Sequence, residues 1–229
     1  DFEKPASARD LAAAMGVDPA DLISATFSVD GIACAVVYGN VGFLAPTEGD
    51  AFVIMSSGNA QPSSVPDGWI GTPDDFLSFD NGNPSGTCPL GGEAYDVATL
   101  NLMLRTPDWA KSLSFNFRFM SEEYPEFVGT EYNDFFSCLL DGTNIAFDTK
   151  GNIINVNNNF FDPTLTPEGT VFDGATVLLT SKAPVTGGAT FELDFIVGDV
   201  SDEIFDTAVF LDNFRFSTEE IGEPVTAPY

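Results

Sequence analysis

Residues 113–119 read Leu-Ser-Phe-Asn-Phe-Arg-Phe, an unbroken alternation of large apolar and polar side chains. Successive side chains of a β-strand point to opposite faces, so this period of two predicts a strand with one face in the core and the other in solvent. Similar runs recur on both sides of it, with little helix between them. The pattern therefore predicts an all-β fold, an antiparallel β-sandwich of jelly-roll-like type.

The flanking strands are predicted from the same period and from turn residues. Short apolar runs occupy residues 26–29, 32–38, 51–56, 135–140, 144–147, 177–180, 190–197 and 208–216. Asp30-Gly31 and Asp141-Gly142-Thr143 each carry the Asp-Gly pair that is typical of a tight β-hairpin turn. Residues 57–96 are rich in Gly, Pro, Asn and Ser, which predicts a long loop that is functional or ordered by an ion.

The helical pattern is confined to residues 7–23. Ser7 is a predicted N-cap with Asp10 three residues later, and Gly16 is the predicted residue just after the helix end. A second helical turn is predicted to begin at Asp18. We therefore expect one or two short helices before the sandwich.

The length and composition fit one domain. The chain has 229 residues, of which 44% are hydrophobic and 22 are Phe, enough to bury a sizeable core. A single sandwich domain is predicted over residues 1–218. Residues 219–229 are polar and contain proline, which predicts a C-terminal linker.

The charge balance excludes several classes of partner. Asp and Glu number 35 against 8 Lys and Arg, for a net charge of −27. Such a field repels nucleic acid and anionic lipid, and it attracts hard divalent cations such as Ca²⁺. A simpler interpretation is solubility or adaptation to a salty medium without any ion. The absence of His removes imidazole catalysis and most zinc sites.

The cysteines and the hydropathy leave the compartment open. Cys34, Cys88 and Cys138 permit one disulfide in an oxidising compartment, with three pairings open and Cys34–Cys138 as one candidate between strands. In a reducing compartment they are simply small buried residues. No stretch approaches the ~20 apolar residues of a membrane span, so direct membrane insertion is not expected.

Acidic residues concentrate where strands end. They lie within residues 121–135, within residues 199–206, and at Asp212-Asn213. If the strands are neighbours, the carboxylates converge and their repulsion requires a cation. The sequence therefore predicts a calcium site, against the alternative of a solvated acidic rim, with the candidate ligands Glu122, Glu123, Asn133, Asp134, Asp199, Asp202 and Asp206.

These same stretches carry a family resemblance. Residues 117–147, FRFMSEEYPEFVGTEYNDFFSCLLDGTNIAF, resemble the central motif of the choice-of-anchor L domain. Residues 8–27, 49–58 and 196–211 resemble its other elements, with Thr207 and Met55-Ser56-Ser57 departing from the usual residues. The resemblance implies a bacterial secreted or cell-surface module, since that family is named for its varied C-terminal anchors.

The predicted function is a calcium-stabilised, non-catalytic module for adhesion, matrix or glycan contact, with extracellular polysaccharide or a surface protein as partner. One alternative is a self-assembling subunit of an extracellular fibre, because exposed sheet edges accept strands from other copies. A glycoside hydrolase would pair Glu122 or Glu123 with Asp134. Three aromatic residues are candidate sugar platforms, although packing is the favoured interpretation: Tyr124, Tyr132 and Trp69.

Overall fold

The computed structural model describes residues 2–3, 7–29, 31–60, 86–87 and 93–229. These residues form one α-helix, one short 3₁₀ turn and two β-sheets. In chain order the elements are β1 (Phe2–Glu3), α1 (Ala8–Ala14), β2 (Leu22–Phe27), the 3₁₀ turn (Gly31–Ala33), β3 (Cys34–Tyr38), β4 (Ala51–Ser56), β5 (Gly86–Thr87), β6 (Glu93–Arg105), β7 (Ser112–Ser121), β8 (Phe135–Leu140), β9 (Thr143–Asn144), β10 (Ile154–Asn155), β11 (Gly174–Ala175), β12 (Leu179–Pro184), β13 (Thr190–Val200), β14 (Thr207–Ser217) and β15 (Val225–Pro228).

The strands form two antiparallel sheets that pack face to face. Sheet A has the order β1-β3-β4-β14-β7-β12-β15, with β11 also beside β7. Sheet B has the order β10-β8-β13-β6-β2, with β9 beside β8 and β5 beside β6. The predicted all-β antiparallel sandwich is confirmed. Strands β1 and β15 occupy the two edges of sheet A.

Strand β7 lies near the middle of sheet A and supplies much of the core. Its phenylalanines at 115, 117 and 119 are fully buried. The Phe115 ring meets Phe195 of sheet B edge to face at 5.1 Å, and the Phe117 ring lies 5.1 Å from Phe136. Each buried ring stabilises the sandwich by roughly 1.5–3 kcal/mol. The apolar side chains of residues 113–119 therefore contribute strongly to the contact between the two sheets.

The polar side of β7 does not face solvent, contrary to the prediction. Ser114 and Asn116 are buried, and a second apolar cluster covers much of this face of sheet A. Leu44 and Phe172, from the segments between strands, pack there against Phe210 of β14. A strand that is covered on both faces can show the same period of two as a strand with one face in solvent. The alternation alone therefore could not distinguish the two.

The N-terminal helix forms as predicted. The Ser7 backbone N–H donates to the Asp10 carboxylate at 2.7 Å, and Gly16 ends the helix with φ +101°. The second predicted helix is only a turn, closed by the Asp21 N–H donating to the Asp18 carbonyl at 3.0 Å. It stops there because Leu22 already belongs to strand β2.

The two predicted hairpins have different outcomes. Asp141 and Gly142 adopt φ values of 47° and 77° and connect the paired strands β8 and β9, which confirms this hairpin. At Asp30-Gly31 the hairpin is wrong, because β2 pairs with β6 in sheet B and β3 pairs with β4 in sheet A. The chain crosses between sheets here. Asp30 itself lies outside the described residues.

Two further segments differ from expectation. Residues 93–96, predicted to end a long loop, begin β6, whose 13 residues pair with β13 and β2. The rest of that predicted loop falls largely on residues 61–85 and 88–92, outside the described residues. Within the predicted linker, Val225–Pro228 forms β15 and pairs with β12.

Cys34 and Cys138 do not form the candidate disulfide. Both side chains are buried, and they lie in different sheets, on β3 and β8. Burial raises the pKa of the Cys138 thiol well above its usual value, and the field of Asp194 adds to this. Cys88 lies outside the described residues.

Candidate functional site

Five carboxylates converge at one end of the sandwich. Glu123 follows β7, Asp134 precedes β8, Asp199 is in β13, Asp206 precedes β14 and Asp96 is in β6. We call this set the carboxylate cluster. The residues come from both sheets, and their mutual repulsion shows in the pKa values described below.

The cluster is buried and incompletely hydrogen-bonded. Glu123 and Asp199 are each 1% exposed, and Asp134 is 0% exposed. In the described part of the chain, no hydrogen-bond partner reaches Oε2 of Glu123, Oδ2 of Asp134 or either carboxylate oxygen of Asp199. An unpaired buried carboxylate oxygen is costly, and native proteins leave few of them. These four oxygens are the feature that requires an explanation.

The pKa values of these acids are raised by their burial and by the negative charge of their neighbours. Burial and the field of Asp202 raise the pKa of Glu123 to about 8, against the opposing effect of hydrogen bonds with Asp134. Burial and the field of Asp96 raise the pKa of Asp206 to about 7. For Asp134, burial and then Glu123 raise the pKa well above its usual value.

Asp199 is the most isolated member. Burial raises the pKa of Asp199 well above the usual value, and the fields of Asp134 and Asp206 raise it further. The Ser57 hydroxyl opposes this rise, although its geometry with the carboxylate falls short of a hydrogen bond. Both oxygens of Asp199 therefore lack a donor while acids surround them.

Backbone contacts fix where these acids lie. The Val200 N–H donates to Oδ1 of Asp134 at 3.0 Å, which ties the start of β8 to the end of β13. The Asp206 N–H donates to Oε2 of Glu122 at 3.0 Å. The Glu123 N–H donates to the Ser121 hydroxyl at 3.0 Å. The cluster is thus held by strand ends and not by exposed loops.

The segment after β4 closes one side of the cluster. A Cβ on Gly58 would lie 1.7 Å from Oδ2 of Asp206, so only glycine allows this approach. The Thr207 N–H donates to the Ser57 hydroxyl at 2.9 Å, and the Asn59 backbone lowers the pKa of Asp206. Residues 57–59 begin the loop predicted to be functional or ordered by an ion, but none of them was among the predicted ligands.

Strained backbone accompanies the cluster. Asp96, Ser201 and Phe205 have φ values of 45°, 83° and 66°, in a region that non-glycine residues rarely adopt. Such conformations persist only where the surroundings impose them, and they concentrate at functional sites. The strain marks this end of the sandwich as more than a strand terminus.

The donor chemistry fits a hard cation, although the geometry of a complete site is not formed. All donors are carboxylate or neighbouring backbone oxygens, the ligands that Ca²⁺ prefers. Among the described residues, no group of three or more His, Cys, Asp or Glu side chains is arranged to hold a metal ion. Ligation would require the unpaired carboxylates to rotate toward a common point.

The predicted ligands divide into two groups. The structure brings Glu123, Asp134, Asp199 and Asp206 together, and Asp202 acts on them from a partly exposed position. Asn133 is directed elsewhere, because its Oδ1 accepts the Asn157 N–H at 3.2 Å. Glu122 is occupied by the Asp206 N–H, as described. Whether any of these residues binds calcium stays a prediction.

Asp96 was missed. It lies on the buried side of β6, in phase with Ala94 and Ala98, and only 4% of it is exposed. Its position among the alternating apolar residues of a strand could have revealed it, but residues 57–96 were interpreted as a loop. A buried acid in such a phase indicates a constraint other than core packing.

Asp212, predicted in a third acidic group, belongs to a different environment. Its Oδ2 accepts the Thr47 N–H at 2.5 Å, the Thr47 hydroxyl at 2.8 Å and the Glu48 N–H at 3.1 Å. Its Oδ1 accepts the Asn213 N–H at 2.6 Å. Asp212 therefore fastens the loop before β4 to β14.

The sequence of this site matches a known family. A family model for the choice-of-anchor L domain matches residues 50–217. The chain belongs to the choice-of-anchor L domain family. The match contains every member of the carboxylate cluster and the Ser57–Asn59 segment, and it stops short of β15. The choice-of-anchor L domain thus accounts for most of the sandwich.

Solved structures resemble the fold only distantly. The carbohydrate-binding module TmCBM61, solved with beta-1,4-galactotriose, is 14% identical with a TM-score of 0.34, over 87% of this chain and 91% of that one. CBM28, a module specific for non-crystalline cellulose, is 14% identical with a TM-score of 0.35, over 80% and 88%. A beta-glucosidase from Kluyveromyces marxianus is 11% identical with a TM-score of 0.31, over 84% of this chain and 18% of that one. No curated protein matches the chain significantly. At these values the likenesses say nothing about function.

The aromatic candidates of the choice-of-anchor L domain are packed. The Tyr124 ring stacks on Phe161 at 4.1 Å and 7°, and the Tyr132 ring meets Phe127 edge to face at 5.4 Å. Trp69 lies outside the described residues. The described residues contain no helix with the length and hydrophobicity needed to cross a bilayer.

Proposed function

We propose that this choice-of-anchor L domain is a secreted or cell-surface, non-catalytic contact module, stabilised by calcium at the carboxylate cluster. The contact it serves is adhesion, matrix attachment or glycan binding. The observation that supports calcium is the set of four buried carboxylate oxygens that have no hydrogen-bond partner among the described residues. The secreted or cell-surface location is inferred from the family, because choice-of-anchor L domains are surface modules named for their varied C-terminal anchors.

A cation is favoured over protonation or ion pairing by the charges present. The chain carries 8 basic residues against 35 acidic ones, and in the described part the ion pairs of Lys111 and Lys182 are made with Glu220 and Glu219, which are not members of the cluster. Among the described residues no ion pair reaches Asp134 or Asp199, and the charged groups that act on them are acids. A doubly charged ion with oxygen ligands would neutralise Asp134 and Asp199.

Calcium would add to the hydrogen bonds that already join two connections at this end of the sandwich. Glu123 and Asp134 bracket the β7–β8 connection, and Asp199 and Asp206 bracket the β13–β14 connection. One ion between them would fix both connections, including exposed residues such as Val128. The result would be a rigid end of the sandwich suited to binding a partner.

The test is thermal unfolding with calcium and with chelator at moderate salt. A ligand that binds only the folded state adds about 2.7 kcal/mol at a hundredfold excess over Kd, so a clear rise of Tm with calcium is expected. Asp134→Asn should remove this rise. Asp194→Asn, on the outer face of sheet B, is the matched control and should keep it. An unchanged Tm in chelator would contradict the calcium proposal.

The contact itself needs a separate measurement. A glycan array and adhesion to bacterial surface material, each with calcium and with chelator, distinguish a sugar-binding module from a protein-binding one. Catalysis is not favoured because Glu123 and Asp134 are almost completely buried, where a sugar chain cannot reach them. Turnover that disappears in Glu123→Gln, with the fold intact, would reverse this conclusion.

Fibre assembly is the second candidate, and one observation favours it. Strands β1 and β15 pair at the two edges of sheet A, which is where a strand from another copy would add. Exchange of either strand between copies would link them edge to edge. Sedimentation decides this: a monodisperse monomer at high concentration, with and without calcium, would argue against assembly.

A further inference from the structure

Arg118 lies in a pocket of about 360 Å³ on the outer side of sheet A. This volume is at the lower end of the range for small-molecule sites. The walls are mainly apolar or aromatic and include Phe43, Pro46, Thr47, Leu178, Phe210 and Tyr229. The pocket is separate from the carboxylate cluster, which lies beyond the end of β7.

Contacts hold the guanidinium of Arg118 in place, but they use only part of its hydrogen-bonding capacity. Its Nη1 donates to the Thr176 carbonyl at 2.9 Å, and its Cζ lies 5.1 Å from the centre of the Phe43 ring. A guanidinium has five N–H donors. The remaining donors of Arg118 meet no hydrogen-bond acceptor among the residues that the structure describes.

Among the described residues Arg118 also forms no close ion pair. Within the described ranges no carboxylate comes within 4.0 Å of it, although the chain has a net charge of −27. Burial lowers the pKa of Arg118, and the field of Asp162 opposes this effect. Asp162 forms no ion pair with Arg118, and its Oδ1 accepts the N–H and the hydroxyl of Thr164 at 2.8 and 2.7 Å.

We propose that this pocket binds a small ligand that carries a single carboxylate. The planar fork of an arginine matches a carboxylate in two parallel hydrogen bonds, and stacking on Phe43 holds the fork in one orientation. Phe43 and Tyr229 line the pocket and supply aromatic surface for the rest of the ligand. A single carboxylate is specified because the strongly negative chain repels extended polyanions.

The experiment is a titration of the whole chain with candidate ligands at physiological salt, in which amide NMR signals report binding. The probes are galacturonate, the neutral methyl galactoside and benzoate, which separate a sugar acid from a non-sugar acid. Arg118→Gln removes the charge, and Arg118→Lys keeps the charge but loses the fork. Arg215→Gln is the matched control, because Arg215 is an exposed arginine on β14 of the same sheet.

The expected result is that at least one acid perturbs Thr47 and Tyr229 while the neutral sugar does not. Its affinity should fall about tenfold or more in Arg118→Gln, by less in Arg118→Lys, and not at all in Arg215→Gln. A thermal melt of each variant confirms folding. The proposal is overturned if neither acid binds, if the neutral sugar binds equally well, or if folded Arg118→Gln keeps the affinity.

Discussion

Two buried acidic sites in this chain look alike in the sequence and differ in the structure. Asp212 and Asp199 each lie within a strand of the sandwich and are each 1% exposed. Asp212 accepts four hydrogen bonds, three from residues 47 and 48 and one from Asn213. Asp199 accepts none among the described residues, and other acids surround it.

The difference shows what burial of an acid means. A carboxylate with its donors in place is a structural fastener and needs no ion. A carboxylate without donors raises the free energy of the folded state until a proton or a cation neutralises it. Acidic clusters in a sequence therefore predict a metal site only when the structure leaves their oxygens unpaired.

The largest effect is expected at Asp212. Asp212→Ala leaves four donors without their acceptor, so the free energy of unfolding should fall by about 4 kcal/mol. This loss should be the same with calcium and with chelator, because Asp212 lies outside the cluster. Urea unfolding in both conditions measures it. A loss that depends on calcium would remove the distinction between the two sites.

Gly58 should give the next largest effect. Gly58→Ala places a Cβ against the Asp206 carboxylate, and the forced shift should cost about 2–3 kcal/mol. Gly222→Ala is the control, since its added Cβ would meet no atom within 4 Å. Equal unfolding midpoints for the two variants would show that the Ser57–Asn59 segment does not close the cluster.

Asp199→Asn should change the stability of the fold in opposite directions in chelator and in excess calcium. In chelator it replaces a buried carboxyl group that has no donor among the described residues with a neutral amide, so the fold should be stabilised by about 1 kcal/mol. With excess calcium it removes a proposed ligand, so the variant should be less stable than the parent. Paired melts with and without calcium test this. A uniform destabilisation would assign Asp199 a purely structural role.

The last prediction is the pH dependence of the calcium-free chain. The pKa values of Asp206 and Glu123 are raised from 3.8 and 4.5 to about 7 and about 8, so the folded state retains protons that the unfolded state has lost. Stability from these groups is fully present below pH 3.8 and is lost progressively as the pH rises from there through about 7 and about 8. Denaturant midpoints in chelator should decline over this window. Glu123→Gln should flatten the decline, and a rise with pH would contradict it.

The fold was largely predictable because its decisive signals are local. The alternation in residues 113–119, the Ser7–Asp10 cap and the Asp141-Gly142 turn each depend on neighbours in the chain. The pairing of β2 with β6 could not be predicted from the Asp30-Gly31 signal, because a turn signal does not specify the sheet that each strand joins. Coverage of the polar face of β7 depends on distant segments in the same way.

The site was predictable in its members more than in its arrangement. Strand-end acids at 123, 134, 199 and 206 do converge, since antiparallel neighbours bring their ends together. Asn133 could not be excluded, because its bond to Asn157 requires the loop conformation. Asp96 was detectable from the alternation of β6, which was overlooked in a region dominated by glycine, proline and asparagine.

The thiol of Cys138 gives this domain a built-in reporter. It is completely buried on β8, four residues after Asp134, in register with Phe195 of β13, and the Cys138 carbonyl accepts the Ile145 N–H at 2.8 Å. An alkylating reagent can reach it only when the strand separates from its neighbours. The rate of covalent labelling at this one sulfur, located by mass spectrometry, therefore times the opening of the strand that starts beside the acids, without any added probe.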